Sequence, residues 1–398
     1  YAKGGEMSSY YCDIDLVLNS EGGLSEVKAA LNHKYPYLKN NLDWVLHPEN
    51  SYFEPGLTFG ERTSFLRMSV LPRDSYFSVS GKAVFGREQS NLSLLQAINT
   101  PSAQFLTYLR RGSLSMNPKF QEGDVSRLPW PRLRPEVISM LEELGKQSYA
   151  WVKKTASLDE TDHAFLRPAN GEWVRGLLQE ALASVQQNEA VSDRALRESL
   201  CLSDSDQEFI EAEILPGWKS RTSANWHDSS DKNAYISYLL GLVFGRWDAR
   251  ISICKGWESL FRDPFAPLSP ASPGMLRDRN DMPIAAESAS EYSQEQRYPV
   301  EIAWRGILVA DPGHSCDIAD CVLRSSEADL LLNMNSPEGT DEVLWDSPEI
   351  SNLRDWFERP SGFFADHLKR YSKSRRQAPI YWQLSAGNGT YSAWLYYH

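Results

Sequence analysis

Residues 115–154 read SMNPKFQEGDVSRLPWPRLRPEVISMLEELGKQSYAWVKK, and the change of pattern inside this stretch decides the fold class. Pro118, Pro129, Pro131 and Pro135 rule out a helix through its first half, because proline lacks the N–H donor and its ring meets the preceding turn. From Pro135 onward the apolar residues recur three and four positions apart, which predicts an amphipathic helix.

Working outward, the residues before this boundary read as strands and turns. DIDLVLN (13–19) alternates polar and apolar residues, as a half-buried strand does. GLTFGERTSFLRMSVLP (56–72) and SYFSVSGKAVFG (75–86) are β-rich runs broken by Gly and Pro. A helix-like run, LSLLQAINTPSAQFLTYLRR (92–111), follows them. After the boundary, GEWVRGLLQEALASVQQ (171–187) repeats the helical spacing, and NAYISYLLGLVFGRWDARI (233–251) is apolar nearly all round, as a buried helix is. Residues 263–298 lose any period and read as a long surface loop. WRGILVADPGHSCDIADCVLRSSEADLLL (304–332) suggests a short strand, a turn and a helix. The expected class is α+β: a mixed, strand-rich domain over 1–135, a mainly helical domain over 136–262, a linker over 263–300, and a C-terminal α+β segment over 301–398 with a basic stretch.

At 398 residues, with 41% hydrophobic and 12% aromatic side chains, the chain has the length for two or three domains and the composition to bury their cores. No apolar run approaches bilayer length and no charged-then-apolar leader opens it, so a cytoplasmic protein is expected and membrane and secretory readings fall away. Five scattered cysteines, Cys12, Cys201, Cys254, Cys316 and Cys321, fit a reducing compartment better than a disulfide framework. Tyr1 opens what reads as a folded segment, which suggests a piece of a longer polypeptide.

The formal charge of −12 hides a strong local asymmetry. Residues 1–61 net −5, 62–135 net +7, 136–366 net −19, and 367–398 net +5. Two basic islands interleaved with Tyr, Trp, Asn, Gln and Gly suit a surface that tracks phosphates and meets base edges. The acidic region 136–366 suits docking of partner subunits, which is one alternative function.

Motifs of common enzymes are missing. There is no phosphate-cradling Gly-rich loop followed by Lys, no nucleophile elbow, and no Asn-Pro-Pro-Tyr or Asp-Pro-Pro-Tyr pocket for a flipped base. Asp13, Asp15, Glu26 and Lys28 superficially match a metal-dependent nuclease, a second alternative, although SEVKAALNHKY (25–35) reads as helix where that pattern wants a strand. His314, Cys316 and Cys321 lack a fourth ligand and zinc-site spacing, so no metal is expected.

Seven stretches in order nevertheless resemble one family: YAKGGEMSSYYCDIDLVLN (1–19), FEPGLTFGERTSFLRMSVLP (53–72), SYFSVSGKAVFG (75–86), NPKFQEGDVSRLPWP (117–131), YISYLLGLVFGRWD (235–248), GILVADPGH (306–314), and HLKRYSKSRRQAPIYWQLS with YSAWLYYH (367–385 and 391–398). Together they are similar to the C-terminal half of large adenine-specific DNA methyltransferases of BREX-type phage-defence systems and type IIL restriction-modification enzymes. The resemblance implies a DNA-binding target-recognition portion. The S-adenosylmethionine site and catalytic loop would lie upstream in the parent, and this segment would bind no cofactor. Its implied partners are double-stranded DNA and other defence-system subunits.

Within the basic islands the side chains suited to DNA are Arg62, Thr63, Lys82, Arg110, Arg111, Asn117, Lys119, Gln121 and Arg127, then Lys369, Arg370, Lys373, Arg375 and Arg376. Arg and Lys bond guanine edges or phosphates, and Asn and Gln bond adenine edges. Arg110 and Arg111, closing a predicted helix, suit phosphate contacts or the helix dipole. Tyr381 and Trp382 are expected to anchor the C-terminal segment, and Tyr391, Trp394 and Leu395 to pack a terminal strand pair.

Overall fold

Strand β1 (Gly56–Gly60) is buried along its whole length, because it is the centre of a three-stranded antiparallel sheet in the order β2-β1-β3. β2 (Ser69–Leu71) and β3 (Gly81–Val84) flank it, with Leu57 opposite Val70 on one side and Val84 on the other. The computed structural model describes residues 1–4, 8–43, 45–46, 52–86, 90–111, 119–168, 171–218, 232–251, 263–284, 298–303, 307–308, 312–315, 317–334, 350–373, 376–377, 380–385 and 392–397. The class is α+β, as the sequence predicts.

The chain divides into two compact units, one comprising Tyr1–Thr155, Leu178–His227 and Phe261–Leu268, the other Ala156–Leu177, Asp228–Leu260 and Ser269–His398. This division cuts across the expected helical domain over 136–262, whose helices are shared out between the two units. The expected linker over 263–300 is divided in the same way.

In the first unit the N-terminal residues run beside the sheet. Tyr10 pairs with Ser69, its N–H donating to the Met68 carbonyl at 2.9 Å, and Ala2 pairs with Phe77. Beyond Tyr10 the expected strand does not form: residues 13–19 have no ladder partner, and Val17 is 97% exposed. Alternation of side chains is insufficient without an edge to pair with. Helix α1 (Glu21–Lys34) follows, as SEVKAALNHKY predicts. Gly81 allows a close backbone approach, since a Cβ there would lie 2.6 Å from the Gly4 nitrogen.

The helix-like run 92–111 is two helices, α2 (Asn91–Ile98) and α3 (Pro101–Arg111), broken at Asn99 and Thr100. Pro101 disfavours a helical residue before it, and Asn99 turns its amide onto the backbone of Met68. Its Nδ2 donates to the Met68 carbonyl at 2.9 Å, and its Oδ1 accepts the Met68 N–H at 3.1 Å. Gln104 treats Leu66 in the same way, both bonds at 2.9 Å. Two buried amides thus complete a loop that no strand pairs.

α4 (Glu122–Val125) is a single turn, and α5 (Pro135–Ala156) is the helix predicted after the proline-rich boundary. α6 (Gly171–Leu200) outruns the apolar periodicity by more than three turns. That extension buries polar residues in the first unit: Asn188 donates to Ser148, Ser192 accepts from Gln96, and Asp193 accepts the Ser102 N–H at 2.7 Å. α7 (Asp204–Phe209) continues through a π-helical turn, Ile210–Ile214, to Trp218.

The second unit is built on α8 (Lys232–Val243), which is buried as its composition predicts and packs against α9 (Ile318–Met334). Phe165, Trp247, Leu276 and Ile302 join that core. Both carboxylate oxygens of Asp329 on α9 accept from Nη2 of the buried Arg167, at 2.8 and 3.1 Å, and the Tyr235 hydroxyl donates to Asp329 at 3.1 Å. The expected surface loop after 263 is partly internal: Ala271, Ser272 and Leu276 are buried, and Met275 pairs with Trp247. α10 (Ile350–Glu358) and α11 (Phe363–Tyr371) follow. β5 (Ser372–Lys373) and β6 (Arg376–Gln377) make a short ribbon. A second sheet sets β4 (Ile307–Leu308) parallel to β7 (Ile380–Ser385), and β8 (Ser392–Tyr397) antiparallel to β7. That is the expected terminal strand pair.

Candidate nucleic-acid interface

Four of the sequence-predicted DNA residues meet where β1 ends. The chain leaves Gly60 through Glu61 and Arg62, and Arg62 pairs with Lys119 in an isolated antiparallel bridge. The Glu61 N–H donates to the Ser80 carbonyl at 3.1 Å, and its own carbonyl accepts the Phe120 N–H at 2.7 Å. FGERTS and the KFQEGD turn, sixty residues apart in sequence, are thereby one surface with the 80–82 turn.

A charge network occupies this surface. Lys119 Nζ lies 3.0 Å from Glu61 Oε1, and Gln121 Nε2 donates to the same oxygen at 3.3 Å. Lys82 Nζ reaches Glu122 at 3.2 Å. Partial burial pushes the Glu61 carboxyl up. Against it, the bonded Lys119 ammonium, Gln121 and the charge of Lys82 hold the group below the usual carboxylate range.

Lys82, expected to face DNA, is only 5% exposed, and its ammonium is taken up by the exposed carboxylate of Glu122 that lies over it. Thr63 donates to the Phe65 carbonyl at 2.6 Å, closing a local turn. Arg111 lies over the Phe120 ring at 5.0 Å, which fixes the end of α3 against this surface. Arg62, Arg110 and Arg127 are exposed. Asn117 lies outside the described residues.

In the second unit the basic stretch is divided in role. Lys369 is exposed on α11, whereas Arg370 lies 3.4 Å from both Glu160 and Asp366. Glu160 is buried, and burial outweighs Arg370, Ser237 and Arg246 to push its carboxyl up to about 7. His367, between the rings of Phe363 and Tyr371, is pushed down to about 3 by burial and by Arg246 and Arg370, and stays neutral. Arg246 donates to the Tyr371 hydroxyl at 2.8 Å. Lys373 and Arg376 face each other across the β5–β6 ribbon. Their side chains, those of Tyr381, Trp382, Trp394 and Leu395, and residues Arg375 and Tyr391 lie outside the description.

The rival constellations are not assembled. Glu26 accepts from Asn19 at 3.0 Å on α1, and Asp13 and Asp15 share no strand. His314 is exposed in a turn and Cys321 is buried on α9; Cys316 lies outside the described residues. Among the described residues no three His, Cys, Asp or Glu are grouped to hold a metal ion. A cleft of about 600 Å³ opens between α6 and the helical residues 215–218. Its two carboxylates are both engaged: Glu189 accepts from Trp218 at 2.9 Å and Tyr10 at 3.2 Å, and Asp193 from Arg197 at 2.8 Å. Among the described residues no helix is long and apolar enough to cross a membrane.

Sequence reasoning missed the partners Glu61 and Glu122. The signal was there, because each is one of only four or five acidic residues in and beside a strongly basic segment. No protein-family model matches the chain, and no curated protein matches it.

Proposed function

We propose that this chain is the DNA-binding, target-recognition portion of an S-adenosylmethionine-dependent, adenine-specific DNA methyltransferase acting in phage defence. The observation that carries the reading is the junction of FGERTS with the KFQEGD turn. Two blocks of the family resemblance, both in the basic island, form one surface flanked by exposed Arg62, Arg110 and Arg127. Guanidinium groups there can hold phosphates or bond guanine edges, and Gln121 can bond an adenine edge once released from Glu61. Lys369, with Lys373, Arg375 and Arg376, supplies a further cationic stretch in the other unit.

The parent enzyme would transfer a methyl group to the exocyclic amine of an adenine turned out of the duplex. This segment carries neither the cofactor motif nor the catalytic loop. Its own residues would select the site and grip the backbone.

Titration of the purified chain with a labelled duplex across salt tests the reading. Affinity falls steeply between 50 and 200 mM salt, about 0.9 in log–log slope per phosphate neutralised. Joint replacement of Arg62, Arg110 and Arg127 by Glu abolishes binding at 50 mM. A wild-type chain without affinity for duplex DNA at low salt overturns it.

A further inference from the structure

We propose that Glu61 is a specificity-determining residue that stands in for a DNA phosphate on Lys119 and so suppresses binding to non-target duplex. The inference rests on the DNA-recognition reading above.

The geometry separates a fixed acceptor from a movable donor. Glu61 is held on both sides of its backbone, by Ser80 and by Phe120. Lys119 is half exposed, on a flexible four-carbon stem, and its ammonium lies 3.0 Å from the carboxylate. Gln121 donates to that same oxygen. A carboxylate and a phosphate offer an ammonium and an amide the same charged acceptor. While Glu61 fills that place, Lys119 releases no counterion on meeting DNA, and an approaching phosphate meets a like charge. Lys82 cannot substitute, being buried and bonded to Glu122.

Non-specific binding depends on phosphate contacts alone, so an internal anion weakens it most. A target sequence adds base contacts that draw Lys119 and Gln121 away from Glu61. Such a built-in repulsive element is how interfaces gain discrimination beyond attraction.

The test is the salt dependence of binding to a non-target duplex. Glu61→Gln steepens the log–log slope by about 0.9, the value for one additional phosphate. Lys119→Met in the Glu61→Gln background returns the slope to that of wild type. Glu61→Asp, which retains the charge, keeps the wild-type slope; equal steepening by Asp and Gln reports loosened packing and overturns the inference. A wild-type chain that binds DNA, with an unchanged slope in Glu61→Gln, overturns the inference and leaves the DNA reading standing. Failure of wild type and variant alike to bind at 50 mM salt overturns both.

Discussion

Arg370 on α11 lies 3.4 Å from the buried carboxylate of Glu160. The cation belongs to the basic stretch 367–376, yet it serves the interior of its own unit. Removing it leaves Glu160 buried without its nearest opposite charge. Arg370→Ala therefore destabilises the unit at pH 8.5 by about 3 kcal/mol, the lower range for breaking a buried ion pair. Adding Glu160→Gln to that variant restores most of the loss. Chemical denaturation of the four proteins in the cycle reads this out, and a purely additive result would count against the pairing.

Glu189 gives the first unit a defined pH response. Burial outweighs its bonds to Trp218 and Tyr10 and the charge of Arg67, and its carboxyl is pushed up from 4.5 to about 7. The folded state therefore binds this proton more tightly than the unfolded chain does. The associated stability is complete below pH 4.5 and is lost as pH rises through 7. The loss is about 3 kcal/mol, at about 1.4 kcal/mol per unit of pH. Glu189→Gln removes that dependence, so its Tm relative to wild type rises between pH 5 and pH 8. Thermal melts across that range check it.

Asn99 replaces a missing strand with one side chain. Replacing it by Ala leaves the Met68 N–H without its partner inside the core, while the Met68 carbonyl keeps the bond from the Tyr10 N–H. The expected cost is about 2 kcal/mol, because one buried backbone donor is left unsatisfied. Asn99→Asp is also destabilising, since a carboxylate cannot donate to the Met68 and Leu95 carbonyls. Denaturant midpoints for the two variants test this.

Two helical glycines should respond oppositely to alanine. A Cβ at Gly145 on α5 would lie 2.4 Å from the Leu92 carbonyl oxygen, so Gly145→Ala forces the backbone apart and costs about 1–3 kcal/mol. At Gly176 on α6 a Cβ meets nothing within 4 Å. Gly176→Ala gains about 0.5–1 kcal/mol from reduced backbone freedom in the unfolded chain. Opposite shifts in melting temperature are expected.

The duality of the basic residues shows where sequence reading stops. By residue type Arg62, Lys82, Lys119 and Gln121 are equally suited to DNA. Only packing distinguishes exposed Arg62 from Lys82, which is buried and paired with Glu122. Likewise, Lys369 and Arg370 are adjacent in sequence, but helical geometry exposes one and directs the other onto Glu160.

By itself the sequence determined what depends on local rules. The proline-rich stretch 118–135 bounded α5, three-and-four spacing placed α5 and the start of α6, and an all-apolar run placed the buried α8. It also located the two basic islands, because charge is a property of composition. Tertiary structure alone decided what depends on partners distant in the chain. DIDLVLN found no edge to pair with and made no strand, while loop 66–68 was completed by the amides of Asn99 and Gln104. The polar half of α6 became interior because its groups bond to one another and to α2, α3 and α5, and no hydrophobic period records such an arrangement. Glu61 and Lys119 meet for the same reason: the charge of each is written in the sequence, but their pairing is a product of the β1 exit and the turn that folds back onto it.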